Sequence, residues 1–277
     1  MSLEAQVEGL EVFARLGAEV QPLRAPDAAR DHPFWLADTD DARADELVAA
    51  LAARPRGVWM GRGGFGSVRT LQRAESRIVT QQALCQVPLW GFSDGTVLTS
   101  FWADHGWPSW SAPPISQLPR LDRPSLLRLE AALAGRVPPF EGLAPANHGE
   151  AAGPLAGGNL TVLGSLVGTP YMPSLAGKIL VIEDVHEVAY RVDRLFVQLR
   201  LAGCLDGVLA IVGGDFTGVS PVEVDGIRSI MTGLAKDLGI PCATGLPIGH
   251  GTQNACLPIG ANAVLEVGAE ARLEVLR

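Results

Sequence analysis

Pro88-Leu89-Trp90-Gly91-Phe92-Ser93-Asp94-Gly95-Thr96 is the stretch on which the reading of this chain turns. Four residues with the character of a buried strand run into a serine that has a glycine two positions away on each side. Val97, Leu98, Phe101 and Trp102 then recur at helical spacing. The pattern predicts a strand, a tight turn and a helix. Glycines at such a bend let neighbouring backbone pass closely, and the bend aims the serine hydroxyl away from the sheet. Ser93 is therefore the candidate nucleophile. A G-x-S-x-G pattern is a weak signal in a chain with 32 glycines, so a base, an orienting acid and an oxyanion site must be found elsewhere.

Upstream, Leu3, Val7, Leu10 and Ala14 predict an opening helix stopped by Gly17, and Ala18 to Leu23 reads as a strand. After a loop rich in Pro and Asp, Asp38 or Thr39 caps a helix through Ala53, and Val58, Trp59 and Met60 make a short buried strand. This rhythm predicts a parallel sheet covered by helices. Gly61-Arg62-Gly63-Gly64-Phe65-Gly66-Ser67 follows at once and fits G-x-G-x-x-G. A dinucleotide loop is disfavoured because the motif comes late and the next strand, ending near Phe92, carries no acid for a ribose. Its backbone N–H groups can serve a different anion, the oxyanion of an acyl transfer, or the segment is simply a tight turn.

Downstream, Trp107 to Pro114 reads as extended and Pro124 to Ala134 as a helix. Residues 135–158 are dense in Pro, Gly and Ala, which predicts a linker between a nucleophile-bearing domain, 1–134, and a C-terminal domain, 159–277. In the latter, Lys178 to Ile182 is a strand ending on Glu183-Asp184, and Val188 to Leu201 a helix. Gly207 to Val212 is a strand and Ile227 to Leu238 a helix. Ile240 to Ala243 leads into the loop Gly245 to Gly251, and Ala263 to Val267 with Leu273 to Leu276 reads as a closing hairpin. The expected fold class is α/β.

A formal charge of -8 and a pI near 5.1, with no polybasic run, argue against nucleic acid and anionic membrane surfaces as partners. The acidic opening residues and the lack of a long apolar stretch predict a cytoplasmic protein. Cys85, Cys204, Cys242 and Cys256 form no C-x-x-C and read as buried reduced thiols. Of five histidines, His250 stands between two glycines on a loop, where it can project into a cleft as a base or lie on the surface. His186-Glu187 opens like a zincin motif, but its fifth position is Tyr190, so no metal site is expected. At the end of an apolar strand, Asp184 suits a cap for the following helix, and Glu183 either does the same or orients an imidazole. An acid and a base beyond the domain crossing put the site between two domains.

Taken together, Arg62-Gly63-Gly64-Phe65-Gly66-Ser67-Val68-Arg69, the Gly-Phe-Ser-Asp elbow, Gly158-Asn159-Leu160 with Gly168-Thr169-Pro170, Ile182-Glu183-Asp184-Val185 and Pro247-Ile248-Gly249-His250 resemble the LD-carboxypeptidases. That serine peptidase family also contains the microcin C immunity peptidases. The resemblance spans nearly the whole chain in the family's order. It implies a Ser-Glu-His triad on Ser93, Glu183 and His250, with an oxyanion site at the backbone N–H groups of Gly64 and Asp94. It also implies an N-terminal parallel α/β domain with a smaller C-terminal α/β domain, a homodimer and no metal or other cofactor. The substrate would be a small peptide cut between an L-centre and a D-residue. In peptidoglycan recycling that releases terminal D-Ala from a diaminopimelate-containing tetrapeptide. Arg62 is the expected grip on the substrate's terminal carboxylate, or a brace for its loop.

Three departures from the family stand out. The chain starts at the first helix without the usual strand ahead of it, Ser111-Ala112-Pro113 stands where His-Gly-Pro is common, and Gly95 replaces a larger residue. Two alternatives follow: a microcin C-type peptide-adenylate amidase, and a catalytically degenerate peptide-binding protein.

Overall fold

Short apolar strands and amphipathic helices alternate through the first half of the chain because its leucines, valines and tryptophans switch between periods of two and about 3.6. The computed structural model describes residues 3–22 and 36–276. In order come α1 (Leu3–Arg15), α2 (Asp40–Ala52), β1 (Val58–Trp59), α3 (Ser67–Val79), α4 (Gln82–Cys85), β2 (Leu89–Gly91), α5 (Thr96–Asp104), β3 (Ser109–Ser111) and α6 (Arg123–Leu133). Thr39 caps α2, its hydroxyl accepting from the Ala42 N–H, and Asp122 caps α6 in the same way through Ser125. Residues 18–22 form no strand, contrary to expectation; Leu23 and the following loop, with His32, lie outside the described residues.

Strands β1, β2 and β3 pair in parallel with Trp59, Trp90 and Trp110 in direct register. Their rings stack at centroid distances of 4.6 and 4.5 Å, and Phe13 of α1 closes the stack edge-on at 4.8 Å. Such pairs add about 0.5–1.5 kcal/mol each beyond burial. The opposite face of this sheet is covered by α2, α3 and α5 through Leu51, Leu71, Ile78 and Trp102, all fully buried.

The second half adds β4 (Phe140–Asn147), β5 (Gly149–Asn159), α7 (Leu160–Leu166), β6 (Ile179–Val185), α8 (Ala189–Leu201), β7 (Ala210–Thr217), α9 (Pro221–Leu238), β8 (Cys242–Thr244), β9 (Leu257–Ile259), β10 (Asn262–Val267) and β11 (Ala271–Val275). Strand β9 pairs antiparallel with β3, so a strand from the second half completes the first sheet as β1-β2-β3-β9. The other seven strands close on themselves in the order β10-β11-β4-β8-β7-β6-β5, with β5, β6, β7 and β8 parallel. Period-two alternation divides them between two cores. Ile179, Val181, Ala210 and Val212 fill the interior with Leu265 and Leu273, while Leu180, Ile182 and Ile211 pack outward against Val192, Phe196, Ile227 and Met231 of α8 and α9.

Two expectations need correction. Residues 135–158 are not a linker, because most of them lie in β4 and β5, the seam of the closed sheet. Their small residues are demanded by crowding: a Cβ on Gly153 would lie 2.7 Å from Leu209 Cδ1 and 2.9 Å from the Gly177 carbonyl oxygen. Among the described residues the C-terminal sheet is also the larger one, seven strands against four. Cys85, Cys242 and Cys256 are buried free thiols as expected, whereas Cys204 is partly exposed. Among the described residues no helix is long and apolar enough to cross a membrane.

Candidate active site

Ser93 follows the C-terminal end of β2, where Phe92 is still extended (φ -153°) and Ser93 itself turns to φ 60°. A side chain in this left-handed region costs on the order of 1 kcal/mol or more, so the neighbourhood must hold it there. Gly91 and Gly95 do so by leaving room for Met60 at the end of β1: a Cβ on Gly91 would lie 2.8 Å from Met60 Sδ, and one on Gly95 would run into the same atom. Gly63 of the upstream loop also abuts the elbow, its absent Cβ lying 2.9 Å from Ser93 Cβ. Both glycines of the G-x-S-x-G pattern thus have a steric cause.

Glu183 lies near the carboxyl end of the parallel strand β6, and His250 lies on the loop after β8. The fold brings both to Ser93, at the carboxyl ends of parallel strands, where open α/β sheets place their ligands. His250 Nε2 is 3.0 Å from Ser93 Oγ, and His250 Nδ1 is 2.8 Å from Glu183 Oε2. An ionised carboxylate only accepts, so Nδ1 carries the proton and donates to Glu183; Nε2 is left to accept from the serine hydroxyl. Phe92 flanks the imidazole at a ring-centroid distance of 4.8 Å.

Glu183 is 0% exposed. Burial pushes its carboxyl above the usual carboxylate range, while the hydrogen bond and charge of His250 pull it back. Its second oxygen accepts from Asn159 Nδ2 at 3.2 Å, and the same amide nitrogen donates to Asp184 Oδ1 at 3.0 Å. Nothing in the sequence marks Asn159 as part of the site, although Gly158-Asn159-Leu160 is one of the motifs that carry the family resemblance. It caps α7 by accepting from the Val162 N–H, and its own N–H donates to Thr96 Oγ1 at the start of α5. An Asn between an apolar run and a helix is a readable cap signal; its reach to two carboxylates is not. Asp184 caps α7, not the helix that follows it in sequence: its Oδ2 accepts from the Thr161 N–H and hydroxyl, both at 2.8 Å.

The Gly61–Gly66 loop lies against the elbow. Asp94 Oδ2 accepts from the Ser67 N–H at 2.7 Å, so the first amide of α3 is already taken by a carboxylate where a dinucleotide phosphate would need it. Gly64 (φ 113°) and Gly66 (φ 105°) adopt conformations that glycine alone takes readily. Arg62 is exposed at the same loop and has no ion-pair partner among the described residues. His186 sits apart on an exposed turn, with Nδ1 3.2 Å from the Gly218 carbonyl oxygen.

Asp215 underlies the His250 loop; its N–H donates to the Ile248 carbonyl at 2.8 Å. Burial raises its carboxyl to about 6, against the pull of Arg228 and with a further push from Asp122. A carboxyl raised in the folded state favours folding below its unfolded value, and that advantage is lost as pH rises through the folded value. We therefore expect Asp215→Asn to match the wild type in denaturant unfolding near pH 4 and to gain stability up to about pH 6. After discounting for its partial exposure, the gain is about 1–2 kcal/mol at neutral pH.

The chain is similar to known proteins over most of its length. The profile of the LD-carboxypeptidase N-terminal domain matches residues 2–112, and that of the LD-carboxypeptidase C-terminal domain matches residues 152–265. The murein tetrapeptide carboxypeptidase of Pseudomonas aeruginosa is 34% identical over 248 residues, covering 84% of this chain and 80% of that protein. The crystal structure of muramoyltetrapeptide carboxypeptidase from Oxalobacter formigenes superposes with a TM-score of 0.83 at 29% identity, over 99% of this chain and 95% of that one. An MccF-like protein from Bacillus anthracis shares the fold with a TM-score of 0.83 at 20% identity, over 100% and 92% of the two chains.

Proposed function

Since the chain belongs to the LD-carboxypeptidase family, we propose that it is a serine carboxypeptidase that cuts the LD-peptide bond of a murein tetrapeptide and releases its terminal D-Ala. The observation that carries this reading is the hydrogen-bonded line Ser93 Oγ, His250 Nε2, His250 Nδ1, Glu183 Oε2, with spacings of 3.0 and 2.8 Å. Ser93 Oγ attacks the scissile carbonyl as its proton passes to His250 Nε2, and Glu183 stabilises the imidazolium that forms. The backbone N–H groups of Gly64 and Asp94 hold the oxyanion. His250 then gives its proton to the amine of the departing D-Ala, leaving the tripeptide as an ester on Ser93. Water, losing a proton to His250, attacks that ester; the tripeptide leaves with a new carboxylate and Ser93 recovers its proton.

Arg62 takes the terminal carboxylate in this scheme. A charge-assisted contact of this kind is worth about 1.5–3 kcal/mol, so Arg62→Ala is expected to raise KM by roughly 10- to 100-fold with a smaller change in kcat. An unchanged KM in steady-state kinetics would assign Arg62 to bracing the loop instead.

Incubating the purified protein with murein tetrapeptide and assaying free D-Ala tests the function directly. A peptide-adenylate conjugate run in parallel tests the microcin C-type alternative, which draws on fold likeness at 20% identity. Turnover of neither, with Ser93 unreactive to a fluorophosphonate, would leave the degenerate binding protein. The cytoplasmic setting expected from the acidic opening residues and the homodimer implied by the resemblance belong to the same proposal, and sedimentation of the purified chain checks the latter.

A further inference from the structure

His250 is held in place from the other half of the chain. Gln117 lies in the 3-10 turn Ile115–Arg120, is 3% exposed, and donates from Nε2 to the Gly249 carbonyl at 2.9 Å and the Gly251 carbonyl at 3.0 Å. These are the carbonyls on either side of His250. A primary amide nitrogen has two hydrogens, and both are used here. The amide orientation is fixed by chemistry as well, because its oxygen could not face two carbonyls. That oxygen accepts from Asn254 Nδ2 at 2.8 Å, and the Asn254 N–H donates to Ser125 Oγ in α6 at 3.1 Å. The loop is also tied to β7 through Asp215 and through the Leu246 N–H, which donates to the Gly213 carbonyl at 3.0 Å, and to the cap of α6, where the Asp122 N–H donates to the Thr252 carbonyl at 2.8 Å.

From this we infer that Gln117 is a positioning residue for His250: by clamping both flanking carbonyls from the first half of the chain, it sets the distance from the imidazole to Ser93. The inference rests on the reading of Ser93 and His250 as nucleophile and base. Glutamine suits the task because two buried carbonyls lose their partners if it is replaced by an apolar residue, and a carboxylate there would oppose acceptors with acceptors. Small displacements of a general base are costly, since about 1 Å of misplacement can lower a rate by on the order of 100-fold.

The test compares wild type with Gln117→Met, which fills the space without donors, and Gln117→Glu, which keeps the shape. The primary readout is the rate at which a fluorophosphonate labels Ser93, which needs the base but not the natural substrate; the second is kcat and KM for D-Ala release. Labelling and kcat are expected to fall roughly 30- to 100-fold with KM within about twofold of wild type, in proteins that still melt cooperatively. Should Gln117→Met fail to fold, Gln117→Glu carries the same expectation. Variants that label within about twofold of wild type, or that lose only melting temperature, overturn the inference and leave the enzyme reading standing. A wild type that labels at Ser93 without releasing D-Ala overturns the substrate reading, and the labelling comparison still decides the role of Gln117. A wild type that never labels at Ser93 overturns both.

Discussion

Ser93→Ala is expected to lower kcat for D-Ala release by about 10⁴-fold or more with KM little changed, because the substituted protein keeps the surroundings of the site and loses the oxygen that forms the acyl bond in the proposed mechanism. His250 would retain its contact with Glu183, since the Nδ1 side of the ring does not involve the serine. The backbone adds a second expectation. At φ 60° an alanine is strained as the serine is, whereas a glycine is not. Ser93→Gly should therefore be equally inactive yet more stable than Ser93→Ala by about 1 kcal/mol, a difference of a few degrees in Tm. Such a pair separates strain held for function from strain that is incidental. D-Ala release surviving in Ser93→Ala at more than a hundredth of the wild-type rate would remove Ser93 from the mechanism; equal melting of the two variants would remove the strain argument.

The elbow was legible because its signals are local. A short apolar strand, a serine between two glycines and a helical pattern occupy neighbouring positions, and each constrains only its own few residues. What the glycines accommodate was not legible: Met60 lies 31 residues before Gly91 in sequence and says nothing about its own direction. The seam of the closed sheet was misread for the same kind of reason. Gly153, Gly157 and Gly158 are required where β5 passes close to Leu209, the Val181 carbonyl and Thr96, and a strand built from residues small enough for such approaches has the composition of a loop. Gln117 and Asn159 left no sign of their reach. Their partners in the site are 132 and 24 residues away, and a single polar side chain at such a distance makes no periodic pattern.

Glu183→Gln separates activity from stability most sharply. The substitution keeps the shape, so the expectation depends on which way the amide faces. Asn159 Nδ2 donates to one carboxylate oxygen of Glu183, so an amide in its place turns its own oxygen toward Asn159 and its nitrogen toward His250. That nitrogen then donates to His250 Nδ1, the imidazole proton moves to Nε2, and the ring faces Ser93 with a hydrogen where it needs a lone pair. Loss of the carboxylate charge also leaves the imidazolium without its counter-ion. The two effects together predict a fall in kcat of about 10³- to 10⁴-fold with KM nearly constant. Stability moves the other way. Burial raises the Glu183 carboxyl above its ordinary range, so the folded protein keeps that proton longer than the unfolded chain does. Its contribution is most favourable below the ordinary carboxylate range and is lost as pH climbs through the raised value. Glutamine does not titrate, so the Tm of Glu183→Gln relative to wild type should climb with pH from the carboxylate range upward until the pH has passed the raised value. A variant within tenfold of wild-type kcat would dismiss Glu183 as the orienting acid. One that melts below wild type at pH 7 would show that the hydrogen bond to His250 outweighs the cost of burying the charge.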